Sequence, residues 1–130
     1  MTFVLDSSIL FDMEKGFLPT VEKLAVITRE DRSPPVITFI THFEFLAGVY
    51  RRRGKHNEVH LVFINKFIVL QTTRATSMIL SSLKNKYDSL GVGISLSDLI
   101  IAALCIENGM TLITRDRDFE KIAELKKVIL

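Results

Sequence analysis

The chain has 130 residues and a formal net charge of +2, with 48% hydrophobic and 25% charged residues. Those values point to one globular domain over 1–130 and exclude a disordered or low-complexity chain. Its longest apolar runs, such as Leu99 to Ile106, fall well short of the ~20 residues of a membrane-spanning helix, and no basic region precedes the first strand-like stretch, so a cytoplasmic location with no membrane contact is expected.

Thr2 to Leu5 reads as a short strand, and Asp6, Ser7 and Ser8 offer capping side chains for a helix through Ile9, Leu10 and Phe11. Pro34 and Pro35 mark a break before a β-rich Val36 to Ile40. Thr41 and Glu44 then have the spacing of a capping box opening a helix that Gly54 ends. A further helix is expected around Val59 to Phe63, a strand at Phe67 to Leu70, and a helix capped by Thr72 or Thr73 and running towards Tyr87.

Ser95 precedes Leu96 to Asn108, a nearly all-apolar helix that must be buried on most sides, with Gly109 as its stop. The one cysteine, Cys105, lies within it and reads as a core thiol. Thr111 to Thr114 forms a strand, Asp116 to Glu124 a short helix, and Lys127 to Leu130 a last strand. Strands alternating with helices imply an α/β fold, a mostly parallel sheet with helices on both faces.

Three carboxylates are each the only charged side chain in an apolar context: Asp6 within residues 1–11, Glu44 within 34–50 and Asp98 within 89–106. An ionised carboxylate is costly to bury without a compensating group. A helix N-terminus could serve, since each of the three falls at or within the first turn of a predicted helix. A parallel sheet adds a second reading, because its strand-to-helix turns gather at the carboxyl edge, where ligands bind. Asp6, Glu44 and Asp116 all follow strands, and Asp98 joins them if its helix runs antiparallel to the strand it feeds.

Clustered acids repel unless a cation joins them, and an all-oxygen donor set suits Mg²⁺ or Mn²⁺ rather than Zn²⁺. His56 and His60 share a helix face but lack a third ligand. Positive charge concentrates at Arg51, Arg52, Arg53 and Lys55, and again at Arg115 and Arg117. Either group could track a phosphate backbone without reading bases, or simply be solvated.

The segments Val4-Leu5-Asp6-Ser7-Ser8-Ile9-Leu10, Thr41 to Gly48, Ser97 to Ala103 and Leu112 to Phe119 together resemble the PIN-domain ribonucleases, and more narrowly the VapC-type toxins of toxin–antitoxin pairs. The resemblance spans the chain with its motifs in order. It implies a five-stranded parallel sheet, a homodimer, a small antitoxin partner and metal-dependent RNA cleavage. It also implies that Asp6, Glu44, Asp98 and Asp116 are the catalytic, metal-binding acids, with Ser8 and Thr114 in support. Ser8 departs from the asparagine frequent there in relatives. Asp118, two residues beyond Asp116, is expected to cap or to pair with Arg115 or Lys121.

Two other enzyme classes with an acid after the first strand fit poorly. A haloacid-dehalogenase-type phosphatase needs an Asp where Ser8 stands, and a response-regulator receiver needs an acidic pair that is missing. The alternative of another kind is a catalytically silent RNA-binding or interaction module that uses its acids as caps.

Overall fold

Side chains point alternately to the two sides of a strand, and in the central strands both sides are apolar. In β1 (Phe3–Leu5) and β4 (Thr111–Thr114), Phe3, Leu5 and Ile113 enter one core while Val4 and Leu112 enter another. A sheet buried on both faces needs helices on both, which gives three layers. The structure, a computed structural model, describes residues 2–52 and 57–130.

On one face pack α1 (Ser7–Lys15), α2 (Leu18–Thr28), α3 (Phe39–Arg51) and α4 (Asn57–Ile64), contributing Ile9, Leu10, Leu24, Phe45 and Ile64. On the other lie α5 (Arg74–Ser89) and α6 (Leu96–Glu107). Cys105, in α6, is fully buried.

β1 pairs with β4, and β4 with β5 (Lys127–Ile129), both in parallel, with Leu5 opposite Ile113 and Ile113 opposite Val128. β2 (Ile37–Thr38) pairs in parallel with β3 (Val69–Leu70). The two groups join through Val36, whose N–H donates to the Phe3 carbonyl and whose carbonyl accepts from the Leu5 N–H, both at 2.9 Å. The strand order is therefore β3-β2-β1-β4-β5.

The structure redraws several expected elements. The strand expected over Val36 to Ile40 shortens to Ile37–Thr38, because the Thr38 hydroxyl accepts the Thr41 N–H and caps a helix that starts at Phe39. Thr41 is thus inside α3, and Glu44 lies in its second turn, outside any capping box. The short helix expected over Asp116 to Glu124 is a 3₁₀ turn over Arg117–Lys121, capped by Asp116. Helix α2 was not foreseen: only Thr20 and Leu24 of its residues are buried, too narrow a stripe to register as periodicity. Thr73 caps α5, Ser95 caps α6, and Gly109 follows α6 in the left-handed conformation at φ 63°. The expected stop at Gly54 lies outside the described residues, as do Arg53, Lys55 and His56.

Candidate active site

From β1 the chain moves outward to β2 and β3, then returns to β4 on β1's other side, so the carboxyl ends of β1 and β4 flank the point where strand order switches. Open parallel sheets bind ligands at such a crevice. Asp6 directly follows β1 and Thr114 ends β4, and the two side chains meet there.

Asp6 is 5% exposed. Its Oδ1 accepts from the Ser8 hydroxyl at 2.6 Å and from the Ile9 N–H at 3.4 Å, and its Oδ2 accepts from the Thr114 hydroxyl. Each hydroxyl is itself held by the loop after β4: Thr114 Oγ1 accepts the Asp116 N–H at 2.9 Å, and Ser8 Oγ accepts the Arg115 N–H at 3.2 Å. Ser8 and Thr114 thus both bind the Asp6 carboxylate and brace the loop that carries Asp116.

Asp98 occupies the first turn of α6, its N–H donating to the Ser95 hydroxyl at 3.1 Å. Asp116 Oδ1 accepts the Asp118 N–H at 2.9 Å. One carboxylate oxygen from each of Asp98, Asp116 and Asp118 lies within 4.8 Å of the others. Asp6 and Glu44 stand outside that trio but within reach of its charge. Burial chiefly holds Asp6, Glu44 and Asp98 above their ordinary carboxyl values. Neighbouring acids add to it: Asp116 acts on Asp6, Asp6 and Asp98 act on Glu44, and Asp116, Asp118 and Asp6 act on Asp98. Hydrogen bonds oppose these effects, from Ser8 and Thr114 on Asp6, Ser7 on Glu44 and Ser95 on Asp98.

The trio fits a hard divalent cation. Its donors are all carboxylate oxygens, and Mg²⁺ with bonds of ~2.1 Å spans about 4 Å between opposite ligands, within small rotations of the observed separation. Among the described residues, no thiol or imidazole joins it. Burial pushes the Cys105 thiol up to about 12, and His60 Nδ1 lies 2.8 Å from Glu14 Oε2 instead. Asp118 enters the trio although the sequence suggested only a cap or ion pair; it also lies 3.4 Å from Lys121.

The basic residues divide. Arg115 grips Asp12 with two bonds, Nε to Oδ2 at 2.6 Å and a terminal nitrogen to Oδ1 at 3.0 Å. Arg52 bonds Glu14 at 2.8 Å and lies over the Phe11 ring. Arg117 pairs with Glu120. The Arg51 Nε donates to the Ala47 carbonyl at 3.3 Å, and its side chain is exposed. Asp12 escaped the sequence reading because Glu14 and Lys15, two and three residues on, deny it the isolation that singled out Asp6.

A PIN domain family model matches residues 3–125. No curated protein sequence matches the chain. Among solved structures, VapBC2 from Rickettsia felis bound to a promoter DNA fragment is similar at a TM-score of 0.85 and 20% identity, over 100% of this chain and 99% of that one. VapBC-1 from nontypeable Haemophilus influenzae is similar at a TM-score of 0.79 and 22% identity, over 99% and 98%. VapBC-5 from Mycobacterium tuberculosis, a member of the VapBC family of toxin–antitoxin systems, is similar at 0.73 and 19%, over 99% and 98%.

Proposed function

Because the chain belongs to the PIN domain family, we propose that it is a metal-dependent ribonuclease, the toxin of a toxin–antitoxin pair. The observation that carries this reading is the convergence of Asp98, Asp116 and Asp118 beside the buried Asp6, at the switch point of a parallel sheet. Asp6, Asp98 and Asp116 are the assigned metal-binding and catalytic acids. Glu44, half-buried and electrostatically coupled to Asp6 and Asp98, is the fourth.

A bound Mg²⁺ or Mn²⁺ would supply a water nucleophile at neutral pH and neutralise charge on the scissile phosphate. The chain does the rest. Asp6, fixed by Ser8, Thr114 and the Ile9 N–H, sets the position of the site. Asp98 and Asp116 would hold the cation, and their carboxylates can orient a water for attack. Glu44, held above its ordinary pKa, can take or return a proton at its carboxylate. Arg51, Arg52, Arg115 and Arg117 contact the RNA backbone, and Arg53 and Lys55 share that part on the ground of their charge in the sequence alone.

Partners follow from the same reading. Exposed apolar side chains on α2 (Leu18 and Val26) and α4 (Val59 and Val62) offer surface for a small antitoxin and for a second copy in a homodimer. Among the described residues, no helix is long and apolar enough to cross a membrane.

The deciding experiment is cleavage of single-stranded RNA by the purified chain, with Mn²⁺ and with chelator. Cleavage that requires the metal supports the reading. RNA binding with no cleavage in either condition would favour the silent module.

A further inference from the structure

Next to the buried Asp6 runs a groove of about 600 Å³ between α1 and α3. Lys15, Arg51, Arg52 and Arg115 line it, and the only carboxylate among its lining residues is Asp12. Phe11 forms part of its floor. Gly48 lets α3 approach that ring, since a Cβ there would lie 3.0 Å from Phe11 Cζ. Ser8 lines the groove and also bonds Asp6, so groove and acid site share a wall.

We propose that this groove is a preorganised subsite for a backbone phosphate of the RNA next to the one being cleaved, built around Arg115, which Asp12 and Thr20 hold in place. The proposal rests on the ribonuclease reading and adds Asp12, Thr20 and Lys15 to the residues that act on substrate. Asp12 is a positioning residue. It is 5% exposed, accepts the Thr20 hydroxyl at 2.5 Å, and takes two bonds from Arg115 along the Nε edge of the guanidinium. An Arg has five N–H donors, so the pairing fixes the guanidinium plane and leaves three donors for a phosphate.

Arg115 stands in sequence between Thr114 and Asp116, which both serve the acid site, while its side chain is turned away from them to Asp12. One loop thus presents an anion-repelling face and an anion-binding face to neighbouring points of a strand. Lys15 is exposed, and Arg51 commits only its Nε to a backbone carbonyl, so both have donors left for the same phosphate. Arg52 is less available, being held by Glu14.

The test is fluorescence anisotropy of the full chain with an end-labelled single-stranded RNA of about 12 nucleotides, in chelator so that the RNA stays intact. Lys15→Ala and Arg51→Ala should each weaken binding about fivefold at ~0.1 M salt and lower the slope of log K against log salt by about 0.7. Lys84→Ala, on the far face and paired with Asp88, should change neither. Asp12→Asn separates positioning from charge. Deleting an anion from a basic groove should strengthen binding of a polyanion if charge is all that matters, whereas loss of the fixed Arg115 should weaken it about threefold or more.

Thr20→Val, which loosens Asp12 without touching its charge, should weaken binding in the same direction and covers the case in which Asp12→Asn does not fold. Unchanged affinity and slope in both Lys15→Ala and Arg51→Ala would overturn the subsite. Tighter binding by Asp12→Asn would overturn the positioning role. Neither readout uses metal or cleavage, so a wild-type chain inactive with Mn²⁺ would sink the ribonuclease reading and leave the groove measurement standing.

Discussion

Asp6 and the trio of Asp98, Asp116 and Asp118 carry the same functional group in opposite surroundings. Asp6 is buried with three donors on its two oxygens, so its carboxylate has one geometry whether or not a ligand is present. Asp116 and Asp118 are exposed and Asp98 is half-exposed, each on the first residues of a helical turn and free to adjust. A site built this way has a rigid reference acid and adaptable outer ones. If the trio holds a cation as proposed, that division would let the outer carboxylates shift around it while Asp6 stays fixed.

The largest expected effect comes from breaking the rigid half. Asp6→Asn keeps the shape but removes the charge that the Ser8 and Thr114 hydroxyls converge on. Single-turnover RNA cleavage at saturating Mn²⁺ should fall by at least ~1,000-fold, about 4 kcal/mol in the transition state, with the circular dichroism spectrum unchanged. In the adaptable half, Asp98→Asn and Asp116→Asn should each cost ~100-fold, about 2.7 kcal/mol, because the remaining carboxylates would still hold a cation. If Asp98→Asn or Asp116→Asn were more damaging than Asp6→Asn, the rigid-reference view would fail.

The two halves should also differ in how they answer to pH and metal. Burial holds Asp6, Asp98 and Glu44 above their ordinary values of 3.8, 3.8 and 4.5. A carboxyl raised on folding stabilises the fold fully below its unfolded pKa, and that stability is lost as pH rises through the folded value. Without metal, these three groups therefore make the chain less stable at neutral pH than near pH ~4.5. A cation that needs ionised ligands reverses the trend. With a dissociation constant on the order of 1 mM, ~10 mM Mn²⁺ adds roughly 1.4 kcal/mol at neutral pH. Thermal melts with and without Mn²⁺ measure both, and an unchanged melting temperature at neutral pH would argue against a shared ion.

The same contrast explains what the sequence disclosed. Asp6 and Asp98 stood out because each is a lone charge in an apolar run, the signature of an acid that a sheet edge or helix end must accommodate. The parallel sheet was legible in the alternation of strand-like and helical stretches along the chain. Glu44 was singled out by the same isolation, and the structure corrects only its capping-box reading, since Thr38 rather than Thr41 caps α3 and the choice turns on one hydroxyl's reach. Helix α2 buries too little to show a period, and Asp12 was passed over because the charged Glu14 and Lys15 stand close behind it. The bond from Arg115 to Asp12 spans most of the chain, and no local pattern encodes it.

The smallest effect tests where the adaptable half ends. Asp118 offers an oxygen to the trio, yet it is exposed and also lies 3.4 Å from Lys121 on the same 3₁₀ turn. Its N–H, rather than its carboxylate, makes the firm contact, donating to Asp116 Oδ1 at 2.9 Å. That bond orients Asp116 and survives any change of the Asp118 side chain. An exposed ion pair of this kind contributes about 0 to 1 kcal/mol. Asp118→Asn should therefore slow single-turnover cleavage at saturating Mn²⁺ by less than about tenfold, under ~1.4 kcal/mol, against ~100-fold for Asp116→Asn. Lys121→Ala sharpens the point: freed from its cation, Asp118 can turn wholly to the metal, and the Mn²⁺ concentration for half-maximal rate should fall modestly, by about twofold. A dead Asp118→Asn beside an active Asp116→Asn would exchange their roles and make Asp116 the cap and Asp118 the ligand.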